Sequence, residues 1–193
     1  MHGAPISSAE ARAAAASAGP FALTAGRSRT ESLLDTLGDR HALVSRAVVA
    51  PPEVSLAPGT PSEVTVRFLG PVELLARAGG TPGSAAVELG PAGKDTAAPL
   101  VELRAPGRTV RYTAADVLEG GGRTIRLGAA TAVLGGAPRA WRGDPGSRPL
   151  IRADGTSASA AADLLTLRLG DGANVALGHL EASVAVPARG VRC

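Results

Sequence analysis

His179 and Glu181 form the pair in this chain best placed to do proton chemistry. They lie where Leu180, Ala182, Val184 and Val186 alternate with polar neighbours, a strand pattern, and residues two apart on a strand project to the same side. A carboxylate beside an imidazole can orient the ring and tune its proton affinity. A hydrolase built on His179 and Glu181 needs a serine or a further carboxylate from another strand, a cleft, and a shifted histidine pKa. A solvent-facing polar stripe explains the same spacing, because the opposite stripe is cleanly apolar.

The remaining candidates are weaker. His2, His41 and His179 are far apart and show no ligand spacing, and Cys193 is the lone cysteine, so neither a metal centre nor an internal disulfide is expected. Gly90 to Thr96 echoes a phosphate-cradling loop, but Glu88 stands at the required glycine and Asp95 at the required hydroxyl position, and both would repel phosphate. Gly170-Asp171-Gly172 reads as a turn, because Val175 replaces the third glycine of a dinucleotide fingerprint. No cofactor is therefore expected. Gly155 to Ser159 lacks the second glycine of a nucleophile elbow. Arg142-Gly143-Asp144 spells a tripeptide known from integrin-binding loops, although matches this short often arise by chance. With the single tryptophan, Trp141, it makes residues 137–148 the candidate interaction loop, in which Trp141 either anchors a partner or packs beneath the loop.

These residues need elements to hold them, and the pattern along the chain is of short strands. Val64, Val66 and Phe68 alternate with Thr65 and Arg67; Val101, Leu103 and Ala105 with Glu102 and Arg104; Val110, Tyr112 and Ala114 with Thr109, Arg111 and Thr113. Similar runs recur around Ile125, from Leu165 to Leu169, and from His179 to Val186. Turn signals such as Pro58-Gly59, Gly79-Gly80, Pro106-Gly107 and Gly135-Gly136 punctuate them. The predicted fold is all-β, an antiparallel sandwich, with a barrel or a β-solenoid as alternatives. Residues 1–20 read as an alanine-rich leader, helical or disordered, with a capping box at Ser7 to Glu10 and a stop at Gly19-Pro20; residues 21–193 form the β-rich domain. A second short helix is predicted from Glu31 to Leu37, capped by Thr30 and ended by Gly38.

Composition narrows the function. The chain is 45% hydrophobic but 2% aromatic, so its core must be built from Ala, Val and Leu. Its net charge of +3 is spread among acidic residues without a basic stripe, which argues against nucleic-acid binding. No apolar run is long enough to span a membrane.

The stretch Gly178 to Pro187, closing with Gly190-Val191-Arg192-Cys193, resembles a segment of secreted or surface-attached actinobacterial proteins of unknown function. In those proteins a β-rich region ends in a similar Gly-Cys stretch before an immunoglobulin-like module and a wall or membrane anchor. The resemblance implies an extracellular or cell-surface location, with cell-wall components or other domains of a longer surface protein as partners. It also implies that Cys193 pairs with a cysteine of a downstream domain or of another chain, the alternative being an unpaired thiol. The first functional expectation is a non-enzymatic structural or interaction module. A small-molecule or glycan-binding β-domain is the alternative, and a hydrolase using His179 and Glu181 ranks last.

Overall fold

The computed structural model describes residues 5–37, 40–93, 95–119, 122–127, 130–141, 148–168, 172 and 174–190. In chain order the strands are β1 (Pro5–Ala13), β2 (Ala16–Ala18), β3 (Phe21–Leu23), β4 (Gly26–Leu37), β5 (Arg40–Ala50), β6 (Val54–Leu56), β7 (Val64–Phe68), β8 (Val72–Ala78), β9 (Ala86–Pro91), β10 (Pro99–Ala105) and β11 (Arg108–Thr113). The helix α1 (Ala114–Leu118) follows, then β12 (Arg123–Leu127), β13 (Ala130–Leu134), β14 (Leu150–Ile151), β15 (Ser157–Arg168) and β16 (Asn174–Ala185). They form three antiparallel sheets, none closed into a barrel: β1-β4-β5-β8-β9, β11-β10-β7-β6-β3-β2, and β12-β13-β15-β14 with β16 on β15. The architecture is all-β and of sandwich type.

The first and third sheets face each other, β15 and β16 lying against β5 and β8. Ala47, Val49, Val72, Leu74 and Ala76 from one side and Ala158, Ala160, Leu164, Leu180 and Ala182 from the other enter a single core, joined by Val54, Val66, Phe68, Val101 and Leu103 of the second sheet. Small side chains on facing strands allow close approach, but each buries little area, so many strands share the work. Helix α1 begins where Thr113 and Asp116 form a reciprocal capping box, and Val117 and Leu118 close one end of the core.

Two sequence expectations are corrected. Residues 5–13 are strand β1, paired with β4, and not a helix or a disordered leader; residues 16–18 are likewise a strand, paired with β3. So short an alanine-rich segment with no apolar stripe to bury is marginal as a helix, whereas pairing with β4 satisfies one side of its backbone. The helix expected at Glu31 to Leu37 is the second half of β4. Glu31 and Leu33 are buried at alternate positions, and a continuous ladder from Arg27↔Ala50 to Leu37↔Arg40 outweighs the local capping signal. The one helix among the described residues is α1, far from the N-terminus.

Candidate functional site

The long antiparallel pair β15–β16 sets Asp163 directly opposite His179 and Ala161 opposite Glu181. On the other edge of β15, Arg139 forms a β-bridge with Ala161, exchanging both backbone hydrogen bonds (2.8 and 2.9 Å). Arg139, Ala161 and Glu181 therefore stand in one row across three chain segments, with Asp163 and His179 in the next row. Ala161 offers only a methyl group in the middle of its row, which leaves room for longer side chains to meet above β15.

They meet in a continuous chain. Arg139 Nη2 donates to Asp163 Oδ2 (3.0 Å), Asp163 Oδ1 faces His179 Nδ1 (2.6 Å), His179 Nε2 faces Glu181 Oε1 (2.9 Å), and Trp141 Nε1 donates to Glu181 Oε2 (2.7 Å). Gly178 shapes the strand at this point. Its φ of +69° suits glycine, and a Cβ there would meet Leu164 Cβ at 3.1 Å and Pro51 Cγ at 3.3 Å.

A neutral imidazole carries one N–H and one lone pair, so it can donate to only one of two carboxylates. The geometry at His179, with a carboxylate oxygen on each ring nitrogen, is satisfied in full by the imidazolium. Partial burial of the ring opposes protonation, but the hydrogen bonds to Glu181 and Asp163, with the charges of both, outweigh it and hold His179 above its ordinary range. Burial likewise works against the Asp163 carboxylate, yet its bonds to His179 and Arg139 hold it below the usual aspartate range. With His179 protonated the four charges of Arg139, Asp163, His179 and Glu181 balance.

This arrangement differs from a catalytic triad in one decisive respect. A general base needs a free ring nitrogen within reach of the proton it removes, and the described partners of both His179 nitrogens are carboxylates. The contacts tie segment 135–141 to β15 and β16, as a brace would. The ring and the Glu181 carboxylate are each close to half exposed, and Trp141 is 40% exposed.

Of the residues singled out by sequence, His179, Glu181 and Trp141 are thus brought together. His41 lies apart, in β5 opposite Thr36. Gly155 forms a turn whose neighbour Thr156 donates from both N and Oγ1 to Asp154 Oδ1, and Ser157 and Ser159 are simply part of β15. Arg142, Asp144 and Cys193 lie outside the described residues, as do His2 and Lys94. Asp163 and Arg139 were missed, because only the register of β15 discloses that they share this face; the one sequence signal was Asp163 as the lone acidic residue in an Ala- and Leu-rich strand whose other charge, Arg168, stands at its end. Among the described residues no cluster of three His, Cys, Asp or Glu side chains is arranged to hold a metal ion. No described helix is long and apolar enough to cross a membrane.

Two further ionic clusters occupy other sheets. Arg46 on β5 bridges the buried Glu73 of β8 (2.6 Å) and Glu31 of β4 (3.4 Å), and Arg29 also pairs with Glu31. Glu102 on β10, 2% exposed, is roofed by Arg104 (2.7 Å) and Arg111 (2.8 Å); Arg111 leads the interactions that lower its pKa. Each ties neighbouring strands together through a carboxylate that arginines enclose. Neither a protein-family model nor a curated protein nor a solved structure matches the chain, so what these clusters can do is argued from their own geometry.

Proposed function

We propose that this chain is a non-catalytic structural or interaction module that acts outside the cell, its surface contacting wall material or neighbouring domains. The observation that supports this reading is the engagement of the His179 ring on both sides: the groups that could have served acid–base chemistry are committed to holding segment 135–141 against the sheet. The location rests on the resemblance of residues 178–193 to surface-attached proteins. Co-sedimentation with purified cell-wall sacculi tests the reading, together with turnover assays on chromogenic esters and glycosides. Retention on sacculi, with no turnover that depends on His179, is expected. Turnover that disappears in His179→Gln would restore the hydrolase reading.

The glycan-binding alternative draws on Trp141. Its indole N–H is held by Glu181 while much of the ring stays exposed, a rigid platform on which a sugar face could stack. Because it is the only tryptophan, its fluorescence reports on that site alone. A saturable spectral change on titration with wall-derived oligosaccharides, together with calorimetric binding of the same oligosaccharides that is lost in Trp141→Ala, would favour this second reading over the first.

A further inference from the structure

Strand β1 is built in an unusual way. All nine of its side chains are exposed, so it buries neither face, and among the described residues it pairs along one edge only, with β4. Its outer edge directs every second backbone N–H and C=O outward, a template for another strand. Antiparallel sheets commonly bury one face, and a strand that buries none gains little from joining its sheet.

The charges on β1 indicate what its outer edge accommodates. Glu10 and Arg12 project to one side and touch each other at 3.1 Å. Across the ladder Glu10 faces Arg29, which also pairs with Glu31, while Arg12 faces Arg27. A like-charge pair directly opposed across two strands is destabilising, so Arg12 lacks a balancing carboxylate on the β4 side. Antiparallel pairing of β1 with itself supplies one. A two-fold axis normal to the sheet passes through a residue position, since a shift by one would set side chains on opposite faces. With the axis at Ala11, Glu10 of each copy stands opposite Arg12 of the other. Moving the axis to Glu10 opposes two glutamates, and moving it to Arg12 opposes two arginines.

We propose that β1 is a homotypic docking edge: two copies of the chain pair β1 against β1, antiparallel about Ala11, and join their first sheets into one continuous sheet. This inference rests on the reading of the chain as an interaction module and names its partner as a second copy.

Sedimentation velocity on the full chain, from about 10 μM to about 1 mM, suits a small and reversible interface. The wild type is expected to form a concentration-dependent dimer that weakens as salt rises. Arg12→Glu is the informative variant. Within one copy it replaces the Arg12–Arg27 opposition by an attractive pair, so β1 stays on β4. Between copies it sets Glu against Glu10 twice, and the dimer should weaken about tenfold or more. The double swap E10R/R12E restores opposite charges across the axis and should restore the dimer. A monomeric wild type over the whole range overturns the proposal, as does a dimer indifferent to R12E or a double swap that fails to rescue it. Wall binding by the monomeric R12E variant would show that the interaction-module reading survives separately from the docking edge.

Discussion

Replacing His179 by Gln removes the proton on which the Arg139–Asp163–His179–Glu181–Trp141 chain depends, and the cost should vary with pH in a specified direction. The folded-state pKa of His179 is raised, so its contribution to stability is complete below the ordinary imidazole value of about 6.5 and is lost as pH rises through the higher folded value. Asp163 is shifted the other way. Its contribution is present above the ordinary aspartate value of about 3.9 and is lost as pH falls through the lower folded one. The brace is therefore strongest between about pH 4.5 and 6. A charge-assisted hydrogen bond shielded from water contributes about 1.5–3 kcal/mol. Here the side chains of His179 and Glu181 are 45% and 46% exposed, while Asp163, at 27%, and Arg139, at 21%, are better covered. Solvent screening reduces the sum to about 1 kcal/mol. In a chain of this length that corresponds to about 2–4 °C in Tm. Thermal melts of wild type and H179Q at steps between pH 4.5 and 9, read as the difference between the two, cancel the titration of groups that do not touch His179. The difference should be largest near pH 5.5 and shrink towards pH 9. Trp141 emission should follow the same curve, because its N–H partner Glu181 loses the imidazolium. A Tm difference that stays flat across this range, or grows with pH, would refute the imidazolium brace.

Other perturbations probe how the fold holds this site. Gly135→Ala should destabilise by about 3 kcal/mol or more in chemical denaturation, because φ is +61° and the added Cβ would overlap the carbonyl oxygen of Val117. Arg46→Met strips the shared counter-charge from Glu73 and Glu31, whose side chains are 9% and 8% exposed, and should cost about 3 kcal/mol. Adding Glu73→Gln to that variant should recover part of the loss, read as a shift in urea midpoint. Leu164→Ala empties a fully buried position behind Gly178 and should cost about 3 kcal/mol with little change in the denaturant slope.

Much of the architecture is legible in the amino-acid order, because alternation and turn chemistry are local. Val64–Phe68, Val101–Ala105 and the His179 to Val186 run announce half-buried strands by their period of two; β7 and β10 contain the first two, and β16 contains the third up to Ala185. The signal fails where burial is two-sided or absent. β8, Val-Glu-Leu-Leu-Ala-Arg-Ala, is buried at most of its positions and shows no clean alternation, and the alanine-rich start of β15 likewise carries no period of two. β1 and the second half of β4 carry local helix signals that lose to the ladder joining them to neighbouring strands.

The sequence by itself determined that this chain makes many short antiparallel strands with a core of small aliphatic side chains, and that His179 and Glu181 project to one side of one strand. Only the tertiary structure decided what that pair contacts. Asp163 is sixteen residues from His179 and Arg139 is forty, and neither spacing carries a signal, because cross-strand neighbours are set by register and not by distance along the chain. Register brought two carboxylates to one imidazole, and the proton count between them is what supports reading a candidate base as a brace.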